Sequence, residues 1–128
     1  MLYETVSCVS DLVGRVSMIP KKLNDKLNED PWMARCCYKK CGKMPQWHHC
    51  FHYKDRSIQS EFNIVPACPK HHDQATPHKN GYKQEVREYF EWIAIQRMTD
   101  KDLFDYPKKD WFAHARYLSF KQDEYGWK

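Results

Sequence analysis

Two pairs of soft ligands constrain this chain more than any other feature. Cys37-Tyr-Lys-Lys-Cys41-Gly42 sets two thiols across a tight turn, and Cys68-Pro-Lys-His71 sets a thiol and an imidazole at C-x2-H spacing. Two thiolates separated by such a turn can each reach one tetrahedral ion at about 2.3 Å. Gly42 eases the turn after the second thiol. The four together make a Cys3His set, which is a closed site for structural Zn2+. Cys36 competes for the first position at x4 spacing from Cys41. Adjacent residues point apart, so one of Cys36 and Cys37 ligates, and the shorter spacing favours Cys37. Cys8 and Cys50 have no spaced partner and read as small buried hydrophobes.

Composition makes such a site useful. The chain has 128 residues, a mean hydropathy of −0.89, 30% charged residues and 15% aromatics. A single domain spanning 1–128 is expected, with a core thin enough to need a staple. No apolar run approaches the roughly 20 residues that cross a bilayer, so no membrane association is expected. The first residues lack a basic segment leading into an apolar one, so no signal peptide is read and a reducing, cytoplasmic setting is expected. There, clustered Cys beside His points to metal before disulfides.

The formal net charge is only +4, but it is unevenly placed. From Arg35 to Lys83 there are nine Lys or Arg against three Asp or Glu, an excess of six. The positive charge therefore lies among the Cys and His residues. A phosphate-bearing partner follows from attraction and counterion release, and a merely solvated basic face is the alternative.

The pattern of elements is α+β. Residues 1–34 form an N-terminal extension, with a short strand or helix near 3–18, then a polar connection that Pro31 stops. Gln46–Tyr53 is rich in aromatics and reads as a strand, and Phe62–Val65 as a second one ended by Pro66. Pro69 suits the first turn of a helix carrying His71 and His72 and ending near Thr76-Pro77. Residues 82–98 read as a helix with an apolar stripe of Val86, Tyr89, Phe90 and Ile93. Thr99 with Asp102 three residues on is a capping-box pattern. Pro107 opens a last helical stretch in which Trp111, Ala115 and Leu118 share a face, and Gly126 lies past its end. Residues 82–120 thus form a helical C-terminal scaffold. Trp92, Trp111 and Phe112 belong to that scaffold or, alternatively, stack on bases.

The dense segment CCYKKCGKMPQWHHCFHYKDRSIQSEFNIVPACPKHHD, residues 36–73, resembles the HNH endonucleases. The resemblance covers under a third of the chain and lies in Cys37-x3-Cys41-Gly42, the pair His48-His49, Asn63-Ile-Val-Pro-Ala-Cys68 and His71-His72. Its wording is similar to that of small HNH proteins of bacteriophages and prophages, which would place it in a bacterial host cytoplasm. The resemblance implies a ββα-metal (His-Me finger) core over 35–76 with a zinc knuckle, packed on the C-terminal helices. It implies His49 as general base, His48 and His72 as ligands of a catalytic divalent metal, and Asn63 as the residue that braces the loop and orients the base. Many members carry Asp or Glu where His48 stands, and Cys is commoner than His71 as the zinc ligand.

The implied reaction is hydrolysis of a DNA phosphodiester, leaving 5′-phosphate and 3′-hydroxyl ends. A neutral imidazole can take a proton from water near neutral pH. Imidazole ligands accept Mn2+, Ni2+ or Zn2+, and Mg2+ is common in the family. Duplex, branched or single-stranded DNA, and RNA, all remain open as substrates. Lys54 and Arg56 stand in the loop between the strands, where they either reach the nucleic-acid backbone or are simply solvated. His52 is either a phosphate contact or an exposed strand histidine. One geometric condition follows: His48 and His49 would face opposite sides of a regular strand, so irregular backbone is expected at 48–50. His71 and His72, about 100° apart on a helix, can serve two different sites. A zinc module that binds nucleic acid or protein without catalysis is the alternative function.

Overall fold

The run Ile64-Val-Pro-Ala67 is apolar throughout, and it forms a strand buried along its whole length. The structure, a computed structural model, describes residues 7–8, 18–53, 56–107 and 109–127, with side chains outside that description at 7, 8, 18 and 53. The elements are β1 Ser7–Cys8, β2 Met18–Ile19, α1 Lys21–Glu29, β3 Gln46–His49, β4 His52–Tyr53, β5 Arg56–Ser57, β6 Ile64–Ala67, α2 Pro69–Gln74, α3 Gln84–Gln96, α4 Asp100–Asp105 and α5 Trp111–Tyr125. The class is α+β, with three small antiparallel pairs: β1–β2, β3–β6 and β4–β5.

The β3–β6 pair carries the dense segment. Its register sets His48 opposite Val65 and His49 opposite Ile64. Pro66 sits inside β6, whereas the sequence reading ends the strand there. Proline is tolerated because, among the described residues, β6 has a strand neighbour on one side only. On the other side, the Cys37 N–H donates to the Pro66 carbonyl at 2.9 Å. Cys68 then turns the chain, Pro69 takes the first helical position, and α2 packs back on both strands. The helix ends at Gln74, two residues before the expected Thr76-Pro77.

The expected strand Gln46–Tyr53 is divided. β3 stops at His49, and His52–Tyr53 pairs separately with Arg56–Ser57. The divider is Asn63, which is fully buried. Its Oδ1 accepts from the Phe51 N–H at 2.6 Å, and its Nδ2 donates to the carbonyls of Phe51 and Ile58 at 3.0 and 2.9 Å. The side chain thus takes the place of a strand neighbour, and the strand is interrupted at Cys50 and Phe51. Asn63→Ala should lower the unfolding free energy by about 2–5 kcal/mol, because the Phe51 N–H and the Ile58 carbonyl lose a buried partner. Urea unfolding of the variant checks this. Asn63→Asp should be no milder, since a carboxylate cannot donate to either carbonyl.

Helix α3 is the centre of the packing. Val86, Tyr89 and Phe90 are buried as the stripe predicts, with Ile93 only half-buried. Ala94, Glu88 and Glu91 are buried as well, because α5 covers a second face of the helix. One apolar cluster joins α3 to β6, α2 and Trp127. A second joins Ala94 to Phe51, Phe62 and Trp111. The third seats Leu27 of α1 against Ile19, Met33 and Ile64. Helix α1 stands where a polar connection was expected. Only Leu27 in it is buried, with Leu23 packed alongside, so its apolar signal is two residues at i, i+4. Residues 9–17, most of the expected element near 3–18, lie outside the described residues.

The caps follow the sequence. Thr99 and Asp102 form the full capping box of α4. Helix α5 starts at Trp111 rather than at Pro107, because Asp110 caps it by accepting from the Ala113 N–H at 2.9 Å. It ends at Gly126, whose φ of 70° suits glycine. Among the described residues, no helix is long and apolar enough to cross a membrane.

Candidate metal centre and histidine groove

Four ligand atoms converge where the loop after α1 meets the start of α2. Cys36, Cys41, Cys68 and His71 offer donor atoms that all lie within 4.8 Å of one another. Cys41 Sγ and Cys68 Sγ are 3.8 Å apart, and His71 Nδ1 lies 3.5 Å from Cys36 Sγ and 3.3 Å from Cys68 Sγ. Around a tetrahedral zinc, bond lengths near 2.3 and 2.05 Å give S···S edges of about 3.8 Å and S···N edges of about 3.6 Å. The donor set therefore fits, and the cluster can hold a metal ion such as zinc. The loop that presents it is tightly wound. Cys41 N–H donates to the Tyr38 carbonyl and Cys36 N–H to the Lys43 carbonyl, with Lys39 and Gly42 both at positive φ.

The thiol that joins this cluster is Cys36, so the expectation of Cys37 is corrected. Burial pushes both thiols up, to about 11 for Cys36 and about 12 for Cys37, so protonation does not separate them. Position does. The bond from the Cys37 amide to Pro66 lays this segment along β6, and the Cys37 side chain packs into the cluster around Val65 and Phe90. Its neighbour then points the other way, toward Cys41 and His71.

The second convergence is of imidazoles. His48, at the end of β3, and His72, on α2, approach with their Nδ1 atoms 2.9 Å apart and their rings edge to face. Two nitrogens at about 2.05 Å from one ion lie about 2.9 Å apart at right angles and about 3.3 Å apart in a tetrahedron. The pair thus fits two adjacent positions on a shared divalent cation. His49 is half-buried, and its Nε2 is 3.0 Å from Gln59 Oε1. All three histidines line one groove of about 660 Å³. Irregular backbone was expected at 48–50, but His48 and His49 are both paired in β3 and only Cys50 falls outside the strand; the two consecutive histidines nonetheless border the same groove. His71 and His72 face the two different centres, as their helical offset requires.

Burial, reinforced by the neighbouring His72, pushes the His48 pKa down to about 3. Burial also lowers His49, with the Gln59 hydrogen bond working against it, and lowers His72. The folded values lie below the ordinary value near 6.5, so the unfolded chain takes up these protons first. Stability from the neutral rings is therefore fully present above about pH 6.5 and is lost as pH falls toward about 3. Urea midpoints should decline across that window. They should decline less steeply in His48→Gln, a comparison that separates the pair from the zinc ligands.

Of the remaining expected contacts, Arg56 is exposed on β5, while Lys54 lies outside the described residues. His52 is exposed, close to Ser57 Oγ at 3.3 Å, and borders the groove. Gln59, His78 and Arg87 were not singled out from sequence, yet Gln59 holds His49 and the other two line the groove. Nothing in their spacing marks them. The chain matches no family model, no curated protein and no solved structure.

Proposed function

We propose that the chain is an HNH-type endonuclease in which β3, β6 and α2 form a ββα-metal core. The observation that carries this reading is the meeting of His48 and His72, from two segments distant in sequence, at 2.9 Å beside the half-buried His49. His48 and His72 would hold the catalytic cation, Mg2+, Mn2+, Ni2+ or Zn2+. When bound, it supplies positive charge to the scissile phosphate and to the departing 3′ oxygen.

The chain's own residues do the rest. With Gln59 Oε1 as acceptor, the His49 ring carries its proton on Nε2 and keeps a lone pair on Nδ1. A depressed pKa keeps that ring neutral, so it can accept a proton from water at physiological pH. Asn63 holds the Phe51 and Ile58 backbone, and so braces the segment that follows His48 and His49. The Cys36, Cys41, Cys68 and His71 cluster would carry zinc for structure, since it closes on four protein ligands. DNA is the proposed substrate.

The zinc cluster by itself also suits a non-catalytic module that binds nucleic acid or protein. Supercoiled plasmid incubated with Mg2+, Mn2+ or Ni2+ separates the readings. Nicks that DNA ligase can reseal are expected, as 5′-phosphate and 3′-hydroxyl ends require. Intact plasmid with every metal would leave the binding module as the function.

A further inference from the structure

We propose that the histidine groove is a channel for the phosphodiester backbone of a nucleic-acid strand, with Lys79, Arg87 and Lys109 as its phosphate contacts. The role of the groove's centre rests on the nuclease reading, but the charge of its walls does not. The three cations come from separate places: the turn after α2, helix α3, and the segment before α5. None belongs to the loop between β4 and β5.

For the two lysines the argument is one of uncompensated charge. Among the described residues, Lys21, Lys26, Lys39, Lys101 and Lys121 each pair with a carboxylate. Lys79 and Lys109 form no ion pair with a described residue; Lys22, Lys40, Lys43, Lys70 and Lys83 share that property but do not line the groove. Lys109 is instead held over the rings of Phe51 and Trp111, at 5.5 and 5.6 Å, which position an ammonium without neutralising it.

Glu91 is the one described acid that borders the groove, and it is 8% exposed. Its Oε1 meets His114 Nε2 at 3.0 Å and its Oε2 lies 3.5 Å from Arg87 Nε. That nitrogen is buried without a hydrogen-bond partner. Arg87 is therefore paired with Glu91 through its buried inner nitrogen and lies 5.8 Å over the Tyr82 ring, while no described residue hydrogen-bonds its two terminal nitrogens. A planar fork in that state suits two oxygens of one phosphate, and the two lysines suit the neighbouring phosphates as point charges.

The test is binding without cleavage. A short fluorescein-labelled DNA duplex, and its unpaired strand, are titrated with the zinc-loaded protein by fluorescence anisotropy, in a salt series with no added divalent ion. Lys79→Met and Lys109→Met should each flatten the plot of log affinity against log salt by about 0.9 on duplex, or about 0.7 on the single strand. The arm with the larger affinity identifies the strand state. Arg87→Lys keeps the charge, so its slope should match wild type while affinity falls about tenfold or more. Lys121→Met, a charge change on α5 away from the groove, should leave both quantities unchanged.

The proposal is overturned if the Lys79→Met, Lys109→Met double variant keeps the full slope, or if Lys121→Met flattens it equally. A wild type that nicks plasmid while the double variant keeps its slope removes the channel and leaves the nuclease. A wild type that binds as expected but never nicks leaves the channel and removes the nuclease.

Discussion

His49→Ala is expected to slow plasmid nicking about 10²–10⁴-fold, the range lost when a general base is removed. The circular dichroism spectrum should not change. His49 is half-buried and sits at the end of β3, so its ring contributes little to any of the three apolar clusters. Its one partner, Gln59, is also half-buried and can turn to water once the ring is gone. The effect should therefore appear in rate and not in stability. Added imidazole should recover part of the rate, since it supplies the missing base without restoring any packing. Equal rates for wild type and His49→Ala would assign the activity to a contaminant and remove the proposed mechanism.

The second large effect is on folding. Cys41→Ser should leave most of the chain unfolded at 25 °C. A structural zinc contributes about 10 kcal/mol or more in small metal-dependent folds, against a total stability of about 5–15 kcal/mol for an ordinary domain. The packing here is divided among three small clusters, and the Cys36–Lys43 loop meets one of them through Cys37 and Tyr38, with Cys41 held in the four-ligand cluster. Cys41 is the informative position because it is half-buried, so its loss removes a ligand without opening a cavity. Elemental analysis should find one fewer zinc per chain, and the helical dichroism should collapse. Cys37→Ser should retain the zinc and fold, with a modest loss from placing a hydroxyl in the apolar cluster. A wild-type protein that is folded and free of zinc would overturn this account, as would a Cys37→Ser variant that loses the metal.

Much of the candidate site could be read from residue order. The convergence of Cys41, Cys68 and His71 follows from ligand chemistry, which demands short spacings within each pair and is indifferent to what lies between. The buried stripe of α3 follows from the 3.6-residue period, and the Thr99–Asp102 box from a hydrogen-bonding pattern complete within four residues. Asn63 was legible only through the resemblance, which implies a residue there that braces the loop. The errors share a cause. Gln46–Tyr53 has strand composition, yet Asn63 takes the backbone groups of Phe51 that a ladder would use. Helix α1 has too few apolar residues to announce itself, and it gains its seat from Ile19, Met33 and Ile64. Gln59 carries no local signal, since a loop glutamine acquires meaning only when a ring stands opposite it.

The choice between Cys36 and Cys37 marks the boundary. Spacing, periodicity and capping are properties of neighbours along the chain, and they were enough to anticipate a thiol–imidazole cluster at one short helix, whereas the histidine pair was implied by the resemblance. Which of two adjacent thiols turns inward depends on one hydrogen bond, from the Cys37 amide to the Pro66 carbonyl, between segments nearly thirty residues apart. The same holds for the groove walls, where Lys79, Arg87 and Lys109 are brought together from three separate places. Side-chain direction follows backbone orientation, and backbone orientation here is set by contacts that exist only once the strands and helices have packed.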